Sequence, residues 1–213
     1  MLTYPIDRSC QLPHATLAAT YDKYFPDKTD GCYVEVGAFD GITFGVTSAL
    51  AHLGWRGLCI EAHPEYAEMG RLKLINRNVK FEACAAGDFE GEITLYVYLA
   101  CSSTKCNEIT RENGVKEDYS IQVPIFKLDT ILARNAIPQD FEVLSIDVED
   151  AELEVLAGFD IDHWRPKMII IESTEKHPNP LNHPKAKKIG EIFAAAGYEN
   201  IYSDLINTIY VRK

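Results

Sequence analysis

The sequence is short of positive charge: 21 lysines and arginines face 32 aspartates and glutamates, leaving a net charge of −11 over 213 residues. Nucleic acids and anionic membranes hold proteins chiefly through Lys and Arg, so both are disfavoured as partners. No apolar run is long enough to cross a bilayer, and no basic segment followed by an apolar one opens the chain. The expectation is a soluble, cytoplasmic protein. There is no C-x-x-C pair among the six cysteines; Cys101 and Cys106 are spaced for neither a redox pair nor half of a zinc site. Cys32, Cys59 and Cys84 fall in or beside apolar runs, where a thiol in a reducing compartment behaves as a small hydrophobe. Internal repeats, low-complexity tracts and Gly/Ser/Pro-rich linkers are also missing. One domain over residues 1–213 is therefore expected, with 1–30 as a helical N-terminal extension.

What the sequence does have is alternation. Short, β-branched apolar runs at 32–36, 57–60, 79–83, 143–148 and 167–171 read as buried strands. Between them, 43–53, 64–75, 129–133 and beyond, 151–156 and 186–196 read as helices, with Pro64 suited to a first turn and Gly197 to a stop. Strands alternating with helices imply right-handed crossovers and a parallel sheet covered on both faces. Two further strands, 93–98 and 121–126, flank a polar excursion over 99–120 that is too long for a plain connector and is suited to cover a site. The chain closes with strands at 198–202 and 208–211 around a polar turn, an antiparallel hairpin. The fold class expected is α/β, a doubly wound, mostly parallel seven-stranded sheet with a C-terminal antiparallel hairpin. Ligands of such sheets bind beyond the strand C-termini.

The first strand runs into Val34-Glu35-Val36-Gly37-Ala38-Phe39-Asp40-Gly41, a turn whose glycines let backbone approach a ligand closely. It does not fit the dinucleotide pattern G-x-G-x-x-G, because Phe39 stands where a glycine belongs and Ile42 where a small residue belongs. Glu35 and Asp40 would also set carboxylates against a pyrophosphate, which disfavours a nicotinamide-dependent oxidoreductase. The same carboxylates suit a cofactor with an ammonium group and a sulfonium charge but no phosphate, as in S-adenosylmethionine. The second strand ends at Glu61, about twenty residues on, where a carboxylate can accept both hydroxyls of a ribose. Read structurally instead, Glu61 is the N-terminal charge of the next helix.

The ordered series of motifs resembles the FkbM-type methyltransferases. It comprises the Val34–Gly41 turn, Leu53-Gly54-Trp55-Arg56-Gly57-Leu58-Cys59-Ile60-Glu61-Ala62-His63-Pro64 and Ala83-Cys84-Ala85-Ala86-Gly87-Asp88. Lys127-Leu128-Asp129-Thr130-Ile131-Leu132, Leu144-Ser145-Ile146-Asp147-Val148-Glu149-Asp150-Ala151-Glu152 and Ile169-Ile170-Ile171-Glu172 complete it. The resemblance implies a class I methyltransferase-like fold, S-adenosyl-L-methionine as cofactor, and O-methylation of a small-molecule, sugar or secondary-metabolite acceptor. It also implies that Glu35, Gly37 and Ala38 face the methionine half, Glu61 the ribose, and the Ala85–Gly87 turn with Asp88 the adenine; Asp40, Gly41 and Ala62 complete the expected cofactor set. Asp150 departs from the family pattern, which usually has glycine there.

Methyl transfer requires the nucleophile in near-attack geometry and, for an alcohol, removal of its proton. Asp147 and Glu172, at the ends of two core strands, are the candidates to orient or deprotonate the acceptor, with His177 in the proline-stiffened loop behind them as a further base. The structural alternative is that Asp147 caps a helix, Glu172 holds a loop, and His177, like His183, is an exposed loop histidine. The acidic run Asp147, Glu149, Asp150, Glu152 and Glu154 offers hard oxygen ligands to a divalent cation, but reads first as a solvated helix face, so no metal ligand is assigned. The remaining functional alternative is a non-catalytic, cofactor-binding module within a larger assembly. Oligomeric state is not legible.

Overall fold

The computed structural model describes residues 2–10, 12–98, 102–105, 119–173 and 183–213. In chain order the elements are α1 His14–Tyr24, β1 Cys32–Val36, α2 Ser48–His52, β2 Arg56–Glu61, α3 Pro64–Lys73, β3 Val79–Ala83, β4 Ala85–Gly87, β5 Gly91–Val97 and β6 Tyr119–Lys127. They continue with α4 Leu128–Arg134, β7 Val143–Ile146, α5 Glu152–Ala157, α6 Ile161–Trp164, β8 Met168–Glu172, α7 Pro184–Ala195, β9 Tyr198–Ser203 and β10 Asn207–Arg212.

The main sheet has seven strands in the order β3-β2-β1-β7-β8-β10-β9. The first five are parallel, and β10 runs antiparallel to both β8 and β9. The expected fold class is the one observed. The order reverses between β1 and β7, the place where open α/β sheets leave a crevice beyond the strand ends.

Every residue of β1, β7 and β8 is buried, as expected of central parallel strands covered on both sides. Alternation sorts them onto two cores. Val34, Val36, Leu144, Ile146, Ile169 and Ile171 pack with Ile131 of α4, Val155 of α5 and Phe193 of α7. Tyr33, Cys59, Met168, Ile170 and Ile209 pack with Leu17 and Tyr21 of α1, Leu50 of α2 and Ala67 of α3. Each such aliphatic side chain contributes about 1.5–3 kcal/mol on burial. The N-terminal segment is thus part of this second core, and the Tyr21 hydroxyl donates to the Val46 carbonyl at 2.9 Å.

Four local expectations need correction. The helix read over 43–53 is confined to Ser48–His52, because 42–47 is a loop folded around the Asp40 and Glu35 carboxylates, with Phe44 at φ +63°. The strand read over 143–148 stops at Ile146, which leaves Asp147 just past the strand end. Residues 85–87, expected as a turn, form the short strand β4, parallel to β6 in a second sheet ordered β4-β6-β5. Gly158 holds it in place, since a Cβ there would stand 1.9 Å from the Gly87 carbonyl oxygen. Finally, the acidic run after β7 is no solvated face: Glu152 is fully buried. The two strands expected around the polar excursion pair with one another as β5 and β6. Of the excursion, 102–105 is described and Ser103 bridges back to Tyr96 of β5; Cys101 and Cys106 lie outside the described residues.

Candidate active site

At the C-terminal ends of the parallel strands the second core gives way to polar side chains on the same sheet face. Tyr33, Cys59, Ile170 and Ile209 are core residues there. Two positions further toward that edge stand Glu35, Glu61, Glu172 and Asn207, all buried. Glu35, Glu61 and Asn207 line a cavity of about 290 Å³ whose walls also include Gly37, Ala38, Phe39, Ala62, Tyr66, Ala85, Asp147 and Glu149. Ser102 and Thr104, from the excursion, close one side.

The turn after β1 is fixed by its neighbours on both sides. Gly37 and Ala38 donate their amides to the Ile60 carbonyl at 2.9 and 3.1 Å, and the Asp147 amide donates to the Val36 carbonyl at 2.9 Å. Gly37 has φ +81°, and a Cβ there would stand 1.6 Å from the Asp147 carbonyl oxygen. The glycine therefore serves a close approach of protein backbone to protein backbone, before any ligand is considered. Glu35 accepts the Thr47 hydroxyl at 2.8 Å, and burial pushes its pKa up to about 7.

Glu61 ties the turn to the following helix. Its Oε2 accepts the Phe39 amide and its Oε1 the His63 amide, both at 2.8 Å, while burial raises its pKa to about 7. A carboxylate has about four acceptor positions, so two remain for the hydroxyls of a bound ribose. Around it stands an aromatic group in which Phe39 and His63, both legible in the sequence, are joined by Tyr66 and Tyr119, which were not. Tyr66 meets the Phe39 ring edge-on at 4.6 Å and stacks on His63 at 4.1 Å, and the His63 Nε2 is 2.7 Å from the Tyr119 hydroxyl. The local signal was the i, i+3 spacing of His63 and Tyr66 at a helix start.

Asp147 lines the cavity, and the Glu172 carboxyl stands beside it at the end of the adjacent strand. Burial first, then the surrounding carboxylates, raise both pKa values well above the ordinary range. Glu172 Oε2 and Asn207 Nδ2, side chains opposite one another across β8 and β10, are buried without hydrogen-bond partners. Carboxylate oxygens of Asp147, Glu152 and Glu172 come within 4.8 Å of one another. Both oxygens of Glu152 are already engaged: Oε2 with Lys185 Nζ at 2.8 Å, Oε1 with the amides of Val148 and Asp150. Burial opposes the charge on Lys185, but Glu152, Glu172 and Asp150 outweigh it and raise its pKa. A lysine in the first turn of α7 is unfavourable to the helix dipole, and that anomaly was the available sign of a buried partner.

The remaining expected residues lie apart from the cavity. Asp40 holds the loop, accepting from the amides of Ile42 and Thr43, the Thr43 hydroxyl and Lys73; these bonds more than offset the effect of burial and keep its carboxyl below the usual range. Gly41, at φ +73°, packs where a Cβ would meet Phe81 at 2.7 Å. Asp88 is exposed beyond β4. Glu172 reaches the cavity through Asp147. His177 lies outside the described residues, and His183 stands at the start of α7. Asp150 occupies φ +80°, in the left-handed region that favours glycine, and its carboxylate lies 3.4 Å from Lys185.

No curated protein matches this chain in sequence. Among solved structures, the monomeric form of WbdD is similar with a TM-score of 0.52 at 11% identity, over 95% of this chain and 42% of that one. A candidate RNA methyltransferase from Pyrococcus horikoshii is similar with a TM-score of 0.50 at 8% identity, over 93% of this chain and 82% of that one. At such identities the likeness is one of fold, and the fold is that of class I S-adenosylmethionine-dependent methyltransferases. The family model described as methyltransferase FkbM domain matches residues 35–199, from the buried acid of β1 to the first residues of the closing hairpin. That span takes in the ends of the parallel strands that meet the cavity, and the chain belongs to the FkbM methyltransferase family.

Proposed function

We propose that the protein transfers a methyl group from S-adenosylmethionine to a hydroxyl of a small or sugar-like acceptor, with Asp147 and Glu172 orienting that hydroxyl and taking its proton. The observation that carries this reading is the carboxyl pair itself, which ends two adjacent strands beside the Gly37 turn. Once ionised, Asp147 is a proton acceptor in the cavity wall, with Glu172 beside it. In the reaction the carbon–sulfur bond breaks with its electron pair left on sulfur, the oxygen–carbon bond forms, and the hydroxyl proton passes to the carboxylate.

The residues at the cavity fit such a cofactor. The Gly37 turn, the free acceptor positions on Glu61 and the wall at Ala62 and Ala85 suit an adenosine, and the carboxylates of Glu35 and Asp147 suit the ammonium and sulfonium charges. A structural neighbour described as an RNA methyltransferase does not carry RNA to this chain. The net charge of −11 opposes a polyanion, and a neutral acceptor meets no such penalty.

The test is a screen of hydroxylated acceptors with labelled cofactor, followed by NMR of the product. An O-methyl product, and an Asp147→Asn variant that loses about 10²–10⁴-fold in kcat while still binding cofactor, supports the reading. Methylation confined to nitrogen or carbon, or an undiminished Asp147→Asn variant, refutes it. Cofactor binding with no turnover of any alcohol favours the non-catalytic module instead.

A further inference from the structure

A second cavity, of about 250 Å³, lies on the other face of the sheet, between α7 and the closing hairpin. Alternation puts Thr208 and Tyr210 on the face opposite Asn207, and Ser173 on the face opposite Glu172, so the two cavities share no wall residue. Helix α7 packs on the sheet through Ile189 and Phe193, both wholly buried. Beside them Ala186, Gly190 and Ala194, four residues apart on one side of the helix, carry so little side chain that a gap is left over β9 and β10. By volume it far exceeds the roughly 10–15 Å³ that one water needs.

The walls of this gap suit one sign of charge. No aspartate or glutamate lines it among the described residues, although the chain carries 32 of them. Its polar groups are hydroxyls, the Asn200 amide and the ammonium of Lys187, which is exposed and makes no ion pair among the described residues. Asn200 donates to the Ser203 hydroxyl at 2.9 Å and Ser203 to that of Thr208 at 3.3 Å, while Thr208 and Ser173 share a bond of 2.8 Å, which fixes these groups in place. Tyr210 is the exception. It is only 5% exposed, yet its hydroxyl has no hydrogen-bond partner among the described residues. Burial raises its pKa, so it stays a proton donor at neutral pH. It faces Gly190, where an added Cβ would stand 3.5 Å from the hydroxyl oxygen. A buried donor left unpaired costs free energy that a bound acceptor recovers. The start of α7 points the same way. Ala186 of its first turn lines the gap, that turn holds no acid, and the preceding residue makes no side-chain capping bond, so the positive end of a 12-residue helix lacks a counter-charge there.

We propose that this cavity is a second ligand site, which takes a small oxyanion, the carboxylate or phosphate monoester of a compact molecule, through the Tyr210 hydroxyl, the Lys187 ammonium and the start of α7. The site stands behind the strand ends that carry Glu172 and Asn207, and it does not depend on the cofactor reading.

The experiment is an NMR titration of the isotope-labelled full chain with inorganic phosphate and, separately, with acetate, at an ionic strength held constant with chloride and with glycerol as the neutral control. Saturable shifts centred on the amides of 186–194 and 200–210 are expected with at least one anion, at a Kd on the order of 1 mM or tighter. Phosphate alone assigns the phosphate monoester, acetate alone the carboxylate, and both together the shared oxyanion group. Lys187→Gln and Tyr210→Phe should each weaken binding about threefold or more, and Gly190→Leu, which fills the gap, should abolish it. Lys187→Gln alters an exposed side chain, so its loss of binding at an unchanged Tm is no folding effect. The absence of a saturable shift with either anion overturns the proposal. So does binding that survives unweakened in the three variants, the mark of an adventitious surface ion, and so does saturation by glycerol as tight as by the anions.

Discussion

The α-carbon of Gly37 lies so near Asp147 that a Cβ would stand 1.6 Å from the Asp147 carbonyl oxygen, and this contact sets the distance between the turn after β1 and the acid pair. Gly37→Ala adds both that overlap and the strain of φ +81°, so it should cost about 3 kcal/mol or more in stability. Thermal unfolding reads it. A variant that melts like wild type yet fails to bind cofactor would instead assign the glycine to the ligand.

Asp150 should respond in the opposite sense. Asp150→Gly relieves a left-handed residue, worth about 1–2 kcal/mol, and gives up a half-exposed ion pair with Lys185 worth about 1 kcal/mol or less. A net gain of about 0.5–1 kcal/mol is expected, or a rise of about 2–4 °C in Tm per kcal/mol. A lower Tm would show that the carboxylate matters more than the strain.

Lys185 and Glu152 form a buried pair, with Nζ and Oε2 2.8 Å apart and neither side chain more than 8% exposed. Lys185→Met leaves a buried carboxylate without its counter-charge and should cost about 3–5 kcal/mol. Adding Glu152→Gln removes that orphaned charge, so the double variant should be more stable than Lys185→Met alone; denaturant unfolding of the four proteins measures the coupling. Strict additivity would contradict the pairing.

Stability should fall as pH rises through the weakly acidic range. Glu35 and Glu61 have folded-state pKa values of about 7 against a reference of 4.5, so between these values the folded chain binds more protons than the unfolded one. By linkage the favourable contribution is complete below about pH 4.5, is lost as pH rises toward 7, and is absent above it, on the order of 3 kcal/mol for each group. Glu35→Gln should flatten the Tm profile between pH 5 and 7.5. A wild-type profile that climbs across that interval would show that these acids are ionised in the folded state.

Much of this was legible in the sequence where one residue type answers one local demand. The buried runs of β1, β7 and β8 are continuous because both faces are covered, and Glu35, Glu61, Asp147 and Glu172 stand at strand ends that topology alone brings to one edge. What escaped reading depends on contacts between distant parts of the chain. Asn207 looks like a turn residue until β10 is laid antiparallel to β8 and set opposite Glu172. Asp40 has the residue type and place of a ligand, yet three neighbouring donors and Lys73 of another helix claim it. The apparently solvated run after β7 turned inward because a lysine 33 residues further on neutralises Glu152.

The most direct test of the central claim is calorimetric titration of S-adenosylmethionine into wild type and Glu61→Ala, each first shown to unfold cooperatively. One site of micromolar affinity is expected in the wild type, with a loss of about tenfold or more in the variant, which has no carboxylate to accept the ribose hydroxyls. A folded wild type that binds no S-adenosylmethionine, or a Glu61→Ala variant that binds it equally well, would contradict it.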